Sequence, residues 1–163
     1  MNLLEKLREK IIDYVYKVSK QPVLYRDLLR ANLLFNEGMY VDPGILNFRK
    51  DLKKEYIAYG ILCLVILIPI ILLTHTLFTK IDFHISIIST IIGTSAVFMG
   101  FDIFNIWIRR AITKKLIKKA WELHFPYFPY EKYNQKVEIL YQKALKEGVP
   151  KNKLEHYILE HLI

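Results

Sequence analysis

One carboxylate stands out by its position. Asp102 lies in a long apolar stretch, and from Ile57 to Ile108 the only other formal charges are Lys80 and Asp82. A carboxylate in hydrocarbon is expensive, so it marks an ion path, a proton relay or a hydrogen-bonded contact. Asn105 and Arg109 come three and seven residues later, on approximately the same helical face. A polar strip would then reach inward from one end of the helix. With Tyr59, Asp102 and Asn105 make up the candidate intramembrane polar site. Two chemistries fit it: an ion or proton site facing a bundle interior, or a hydrogen bond from Asp102 to Tyr59 or to another chain.

The remaining reactive residues carry less. His75, Asp82 and His84 fall close together, but a metal there needs further ligands, as from other protomers, and no metal site is assigned. His156 and Glu160 share a helical face without a third ligand, and His124 is isolated. Cys63 is the only cysteine, which excludes an intrachain disulfide and makes the thiol a packing group. The chain has no phosphate-binding glycine loop, zinc-protease helix motif, serine elbow or CxxC pair. The expectation is a protein without catalytic residues or cofactor, not an enzyme.

The elements that position these residues follow from hydropathy. Mean hydropathy over the 163 residues is only +0.18, because the apolar residues are concentrated in the middle. Segment 57–78 reads IAYGILCLVILIPIILLTHTLF, 22 residues without a formal charge. It would extend about 33 Å as a helix, enough for a hydrocarbon core of about 30 Å. Its Ile, Leu, Val and Phe supply roughly −4 to −8 kcal/mol of insertion free energy before polar penalties. Pro69 sits near its middle and predicts a kink, which a membrane helix tolerates.

Segment 85–108 reads ISIISTIIGTSAVFMGFDIFNIWI. It is long enough to span, but Asp102, Asn105 and five Ser/Thr weaken its insertion, which therefore depends on the first helix. Residues 79–84 form a short external loop, so the two spans must be antiparallel neighbours. Ser89, Gly93, Ala96 and Gly100 are spaced four, three and four apart on one face of the second span. Small residues let another backbone approach closely, so this stripe is the expected helix-packing surface, toward the first span or toward a second protomer.

Charge sets the orientation. Residues 1–56 carry eleven Lys/Arg and residues 109–163 carry twelve, while the loop carries Lys80 alone. Arg49, Lys50, Lys53 and Lys54 precede the first span; Arg109, Arg110, Lys114, Lys115, Lys118 and Lys119 come after the second. Positive residues stay inside, which places both ends in the cytoplasm of an inner-membrane protein. The net charge of +8 and the pI near 9.4 then suit anionic lipid headgroups rather than nucleic acid, because the clusters abut the spans. MNLLEKLREK lacks the apolar core of a secretory signal.

The flanks read as amphipathic helices. In 2–20, Leu3, Leu7, Ile11, Val15 and Val18 share a face; Leu24, Leu28, Ala31 and Phe35 mark a second helix. Residues 36–44 are a turn, and Asp42 with Pro43 predicts the start of a third helix. Beyond the second span, helix continues to His124, with Ile112, Leu116, Ala120 and Leu123 on its apolar side, and HFPYFPY interrupts it. Segment 131–147 is helical with Tyr133, Val137, Leu140 and Ala144 on a stripe. Asn152 and Glu155 predict a capping box for a last helix bearing Leu154, Ile158 and Leu162. No run predicts a strand.

The expected fold is an all-α membrane protein: a two-span antiparallel helical hairpin with amphipathic cytoplasmic helices at both ends (1–56, 57–78, 79–84, 85–108 and 109–163 in order). Its partners would be the bilayer and a homo-oligomer or another membrane protein. The expected role is oligomerisation or partner docking; the alternative is a subunit of an oligomeric channel or transporter whose second span lines the path. The layout resembles that of mitochondrial-type calcium uniporter pores in topology alone. That family has an acidic signature at the mouth of its second pore helix, whereas HTLFTKIDFHIS offers only Asp82.

Overall fold

The computed structural model describes residues 3–78 and 83–162, with side chains placed outside 73–86. In chain order these form α1 (Leu3–Val15), β1 (Tyr16–Val18), α2 (Tyr25–Asn36), β2 (Phe48–Lys50), α3 (Leu52–Phe78), α4 (Phe83–His124), α5 (Tyr130–Lys146), a 3-10 turn (Lys151–Lys153) and α6 (Leu154–Leu162). The chain divides into two compact units. One contains residues up to Val15 and from Lys50 to Arg110; the other contains Tyr16–Arg49 and Ala111–Ile163.

The first unit is built on α3 and α4. Asp51 caps α3 by accepting a hydrogen bond from the Lys54 amide at 3.4 Å, so the helix starts ahead of its apolar run. Both helices are long and apolar enough to cross a membrane. The core helix of a soluble protein can pass the same test, but it would be mostly buried. Here only 6% of each apolar window is covered. Leu72 and Phe98 are 71% and 72% exposed. Thr94 donates its hydroxyl to the Thr90 carbonyl of its own helix, which satisfies a polar group without a partner from elsewhere. α1 packs on α3, its residues Ile12 and Val15 are buried, and Lys54 lies over the Tyr14 ring.

The second unit is a helical cluster around Trp121 and Phe125, whose rings lie 4.5 Å apart. The Trp121 indole donates to the Phe128 carbonyl, which fixes the turn where Pro126 and Pro129 end helical structure. α5 packs on α2 and on α6. Leu28, Leu29 and Ala31 of α2, Val137, Tyr141 and Ala144 of α5, and Leu154, Ile158 and Leu162 of α6 are buried. Asn32, also buried, donates to the Asn134 carbonyl, and His124 meets the Val23 carbonyl. Burial, then the charge of Glu155, pushes the Tyr25 hydroxyl upward; burial, then Glu131, pushes Tyr130 up to about 12.

α5 ends in a Schellman motif: Val149 donates to the Ala144 carbonyl, and Gly148 takes a φ of 67°. A side chain there is strained whatever the space. Gly148→Ala is expected to cost about 1–2 kcal/mol, read as a lower thermal midpoint in detergent.

Four local expectations are corrected. First, strands do form: Tyr16–Val18 pairs with Phe48–Lys50, and the Tyr16 and Phe48 rings meet edge to face. Three residues are too few to show a period of two. α1 therefore stops at Val15, and Val18 belongs to a strand. Second, no helix starts at Pro43. The Asp42 carboxylate caps a turn by accepting the Gly44 amide at 2.7 Å, and Asn47 at φ 54° redirects the chain into β2. Third, the capping box at Asn152 gives way to the 3-10 turn, closed by Lys153 donating to the Pro150 carbonyl. Fourth, the apolar side of the α4 extension is broader than expected: Ile112, Leu116 and Ala120 are buried as expected, Thr113, Ile117 and Trp121 are buried beside them, and Leu123 is 62% exposed.

Candidate functional site

The face of α3 that meets α4 is set by the steps from Glu55 to Tyr59, Leu62, Cys63 and Ile66. At one end of this face is a buried ion pair. Glu55 is 1% exposed and holds the Lys50 ammonium at 2.9 and 3.2 Å. Lys50 also donates to the Asn105 side-chain oxygen at 3.4 Å, so one ammonium joins the start of α3 to α4. A buried charge needs such compensation, because removing either partner strands the other out of water.

Next along the face, the Tyr59 hydroxyl donates to the Val97 carbonyl. Its ring packs on Phe101 and Phe104, and Tyr56 stacks on Phe101 at 4.9 Å and 8°. Gly100 is what lets the tyrosine in. A Cβ built there would lie 2.7 Å from the Tyr59 hydroxyl. Beyond this contact, α3 and α4 border a cavity of about 510 Å³ lined almost wholly by apolar side chains, with Leu67 and Gly93 toward one end and Trp107 at the other.

The three residues of the candidate polar site are thus not brought together. Asn105 accepts from Lys50, Tyr59 donates to a backbone carbonyl, and Asp102 is exposed on another side of α4 with no hydrogen-bond or ion-pair partner among the described residues. Gly93, Ala96 and Gly100 of the small-residue stripe line the cavity toward α3 of the same chain, and Gly100 alone is filled, by Tyr59. Ser89 is half-buried.

Of the basic residues, Lys50 is held in the ion pair, and Lys118 is paired with Glu131, whose carboxyl it holds below the usual range. Arg49, Lys53, Arg110, Lys114, Lys115 and Lys119 are exposed; Lys54 and Arg109 are half-buried. His75, Asp82 and His84 lie outside the described side chains. His156 and Glu160 stand 3.8 Å apart on the surface, and no group of three metal-ligating side chains occurs among the described residues.

Glu55 was not singled out by the sequence. The signal was present: Glu55 precedes Tyr59 by one helical turn, so it shares the face of α3 that the second helix must meet. Compared with protein-family models, with curated proteins and with solved structures, the chain shows no significant match.

Proposed function

We propose that the chain is a two-span integral membrane protein that serves as an assembly or docking component. α3 and α4 form an antiparallel hairpin across the bilayer, with both ends on the cytoplasmic side. The hairpin is supported by the unburied apolar surface of the two helices and by the contacts that pair Tyr56 with Phe101 and Lys50 with Asn105. The orientation is supported by the basic clusters that flank both helices.

The observation that carries the docking role is Asp102. Its carboxylate is exposed on α4 beside Phe98, Met99 and Ile106, which are 72%, 61% and 50% exposed. In a lone chain that carboxylate would face lipid. Association covers it: a polar side chain on a neighbouring helix supplies a hydrogen bond worth about 1–2 kcal/mol in model membrane peptides. Asp102→Leu should therefore weaken association about 5- to 30-fold, while Asp102→Asn retains most of it. Light scattering in mild detergent reads the mass directly. A monomeric wild type, or an assembly indifferent to leucine at that position, refutes the role.

The same exposed carboxylate favours a second reading. In a ring of α4 helices Asp102 would line a path for ions. Protein in liposomes would then conduct, and Asp102→Asn would change selectivity or pH dependence. Absence of flux eliminates this alternative.

A further inference from the structure

α1 presents an apolar strip that the first unit leaves uncovered. Only Ile12 and Val15, in the last turn of this helix, are buried. Leu3, Leu4, Leu7 and Tyr14 are 78%, 71%, 49% and 43% exposed. At about 100° per residue, these four and the half-buried Ile11 fall within one arc of about 100° on the helix surface. A continuous apolar strip of this kind marks a contact surface.

The charges around the strip select what covers it. Lys6 and Lys10, both exposed, border it on one side, and Arg8, half-buried, borders it on the other. Lys54 of α3 adds a fourth cation, 4.9 Å from the centre of the Tyr14 ring. Glu5, Glu9 and Asp13 are exposed on the opposite side of the helix. A second α1 laid on this strip would set cation against cation in either direction, because both borders are basic. An anionic lipid surface suits the arrangement as it stands: leucines below the phosphates, cations among them and acids toward water.

The attachment of α1 agrees with this. The Asp51 amide donates to the Val15 carbonyl at 3.0 Å, which ties the end of α1 to the start of α3. Ile57, where the charge-free run of α3 begins, follows six residues later, about 9 Å along the helix. We propose that α1 lies on the cytoplasmic leaflet as an interfacial helix, with Leu3, Leu4 and Leu7 among the acyl chains and Lys6 and Lys10 at anionic headgroups. The proposal rests on the membrane-spanning reading of α3 and α4, which sets the end of α1 at the edge of the hydrocarbon.

The test uses the full chain in vesicles of phosphatidylglycerol and phosphatidylcholine. With Cys63→Ala removing the native thiol, Leu7→Cys, Glu9→Cys or Leu64→Cys carries a nitroxide. Collisions with oxygen, which concentrates in acyl chains, report lipid contact; collisions with a neutral water-soluble nickel chelate report water. The label at Leu7→Cys should meet oxygen and escape the chelate, and the label at Glu9→Cys the reverse. Equal access of the chelate to both overturns the proposal. A label at Leu7→Cys that meets neither assigns the strip to a protein, a second copy included, and overturns it too. Leu64 of α3, 58% exposed, reports on the span itself. If Leu64→Cys meets the chelate, the membrane reading has failed; if it meets oxygen while Leu7→Cys meets the chelate, only the docking of α1 has. Without the nitroxide, the rate at which a water-soluble maleimide modifies Leu7→Cys follows the undocked fraction. Lys6→Gln with Lys10→Gln should raise that rate about 30-fold more in phosphatidylglycerol than in pure phosphatidylcholine, the equivalent of roughly 1 kcal/mol per residue near a lipid surface. A rate that those substitutions leave unchanged in both lipids overturns the contact with anionic headgroups.

Discussion

Glu55→Leu is expected to destabilise the protein by about 3–5 kcal/mol, because it strands the Lys50 ammonium beside a buried face. Glu55 is almost completely covered and Lys50 only partly, so Glu55→Leu, which leaves the lysine some water, falls at the lower end of that range, and Lys50→Met, which strands the carboxylate, at the upper end. Asn105 offers one oxygen at 3.4 Å, a weak replacement for a carboxylate. The informative comparison is the pair. Lys50→Met with Glu55→Leu removes both charges and fills the site with apolar side chains of similar size. Such double replacements are often neutral or stabilising. The double variant should regain most of the loss, and a thermodynamic cycle built from detergent melts yields the coupling. If either single variant melts like wild type, the pair does not hold α3 to α4.

Gly100→Leu carries the second large effect. Its Cβ would fall 2.7 Å from the Tyr59 hydroxyl, inside any real contact distance. The tyrosine must leave, and the hydrogen bond to the Val97 carbonyl goes with it. Overpacking of this kind costs about 1–3 kcal/mol, and the lost hydrogen bond roughly 1 more. Tyr59→Phe removes the clashing oxygen, so Gly100→Ala should be better tolerated in that background than in the wild type. Gly93→Leu is the control, since the same stripe is open there. Equal melting temperatures for Gly100→Leu and Gly93→Leu would show that Tyr59 does not seat on Gly100.

Periodicity and hydropathy reach part of this arrangement directly. The two long helices are legible because composition alone separates 57–108 from its flanks, and no folding detail alters that count. The glycine at 148 is legible as a helix end, because only a residue without a Cβ takes its φ at little strain. The short strands are not legible. Tyr16–Val18 and Phe48–Lys50 are about thirty residues apart, and their pairing depends on the turn at Asn47 rather than on local pattern. The helix expected from Asp42 and Pro43 fails for a related reason. An aspartate carboxylate caps a turn as readily as a helix, and the backbone path through Gly44 and Asn47 selects the turn.

Residue order alone was enough to establish two long apolar helices, basic residues crowded on their outer flanks, and one carboxylate among apolar side chains. These are counts along a line, and hydrocarbon or water responds to them without reference to contacts. Which polar groups meet was settled by packing in three dimensions. Lys50 was paired with Glu55 and Asn105, Tyr59 was given to a backbone carbonyl, and the glycine stripe was turned toward a slot while Asp102 remained uncovered. The difference arises because a helical face fixes only direction. The partner at the end of that direction depends on the rotation and separation of the second helix, which bulky and small residues set together.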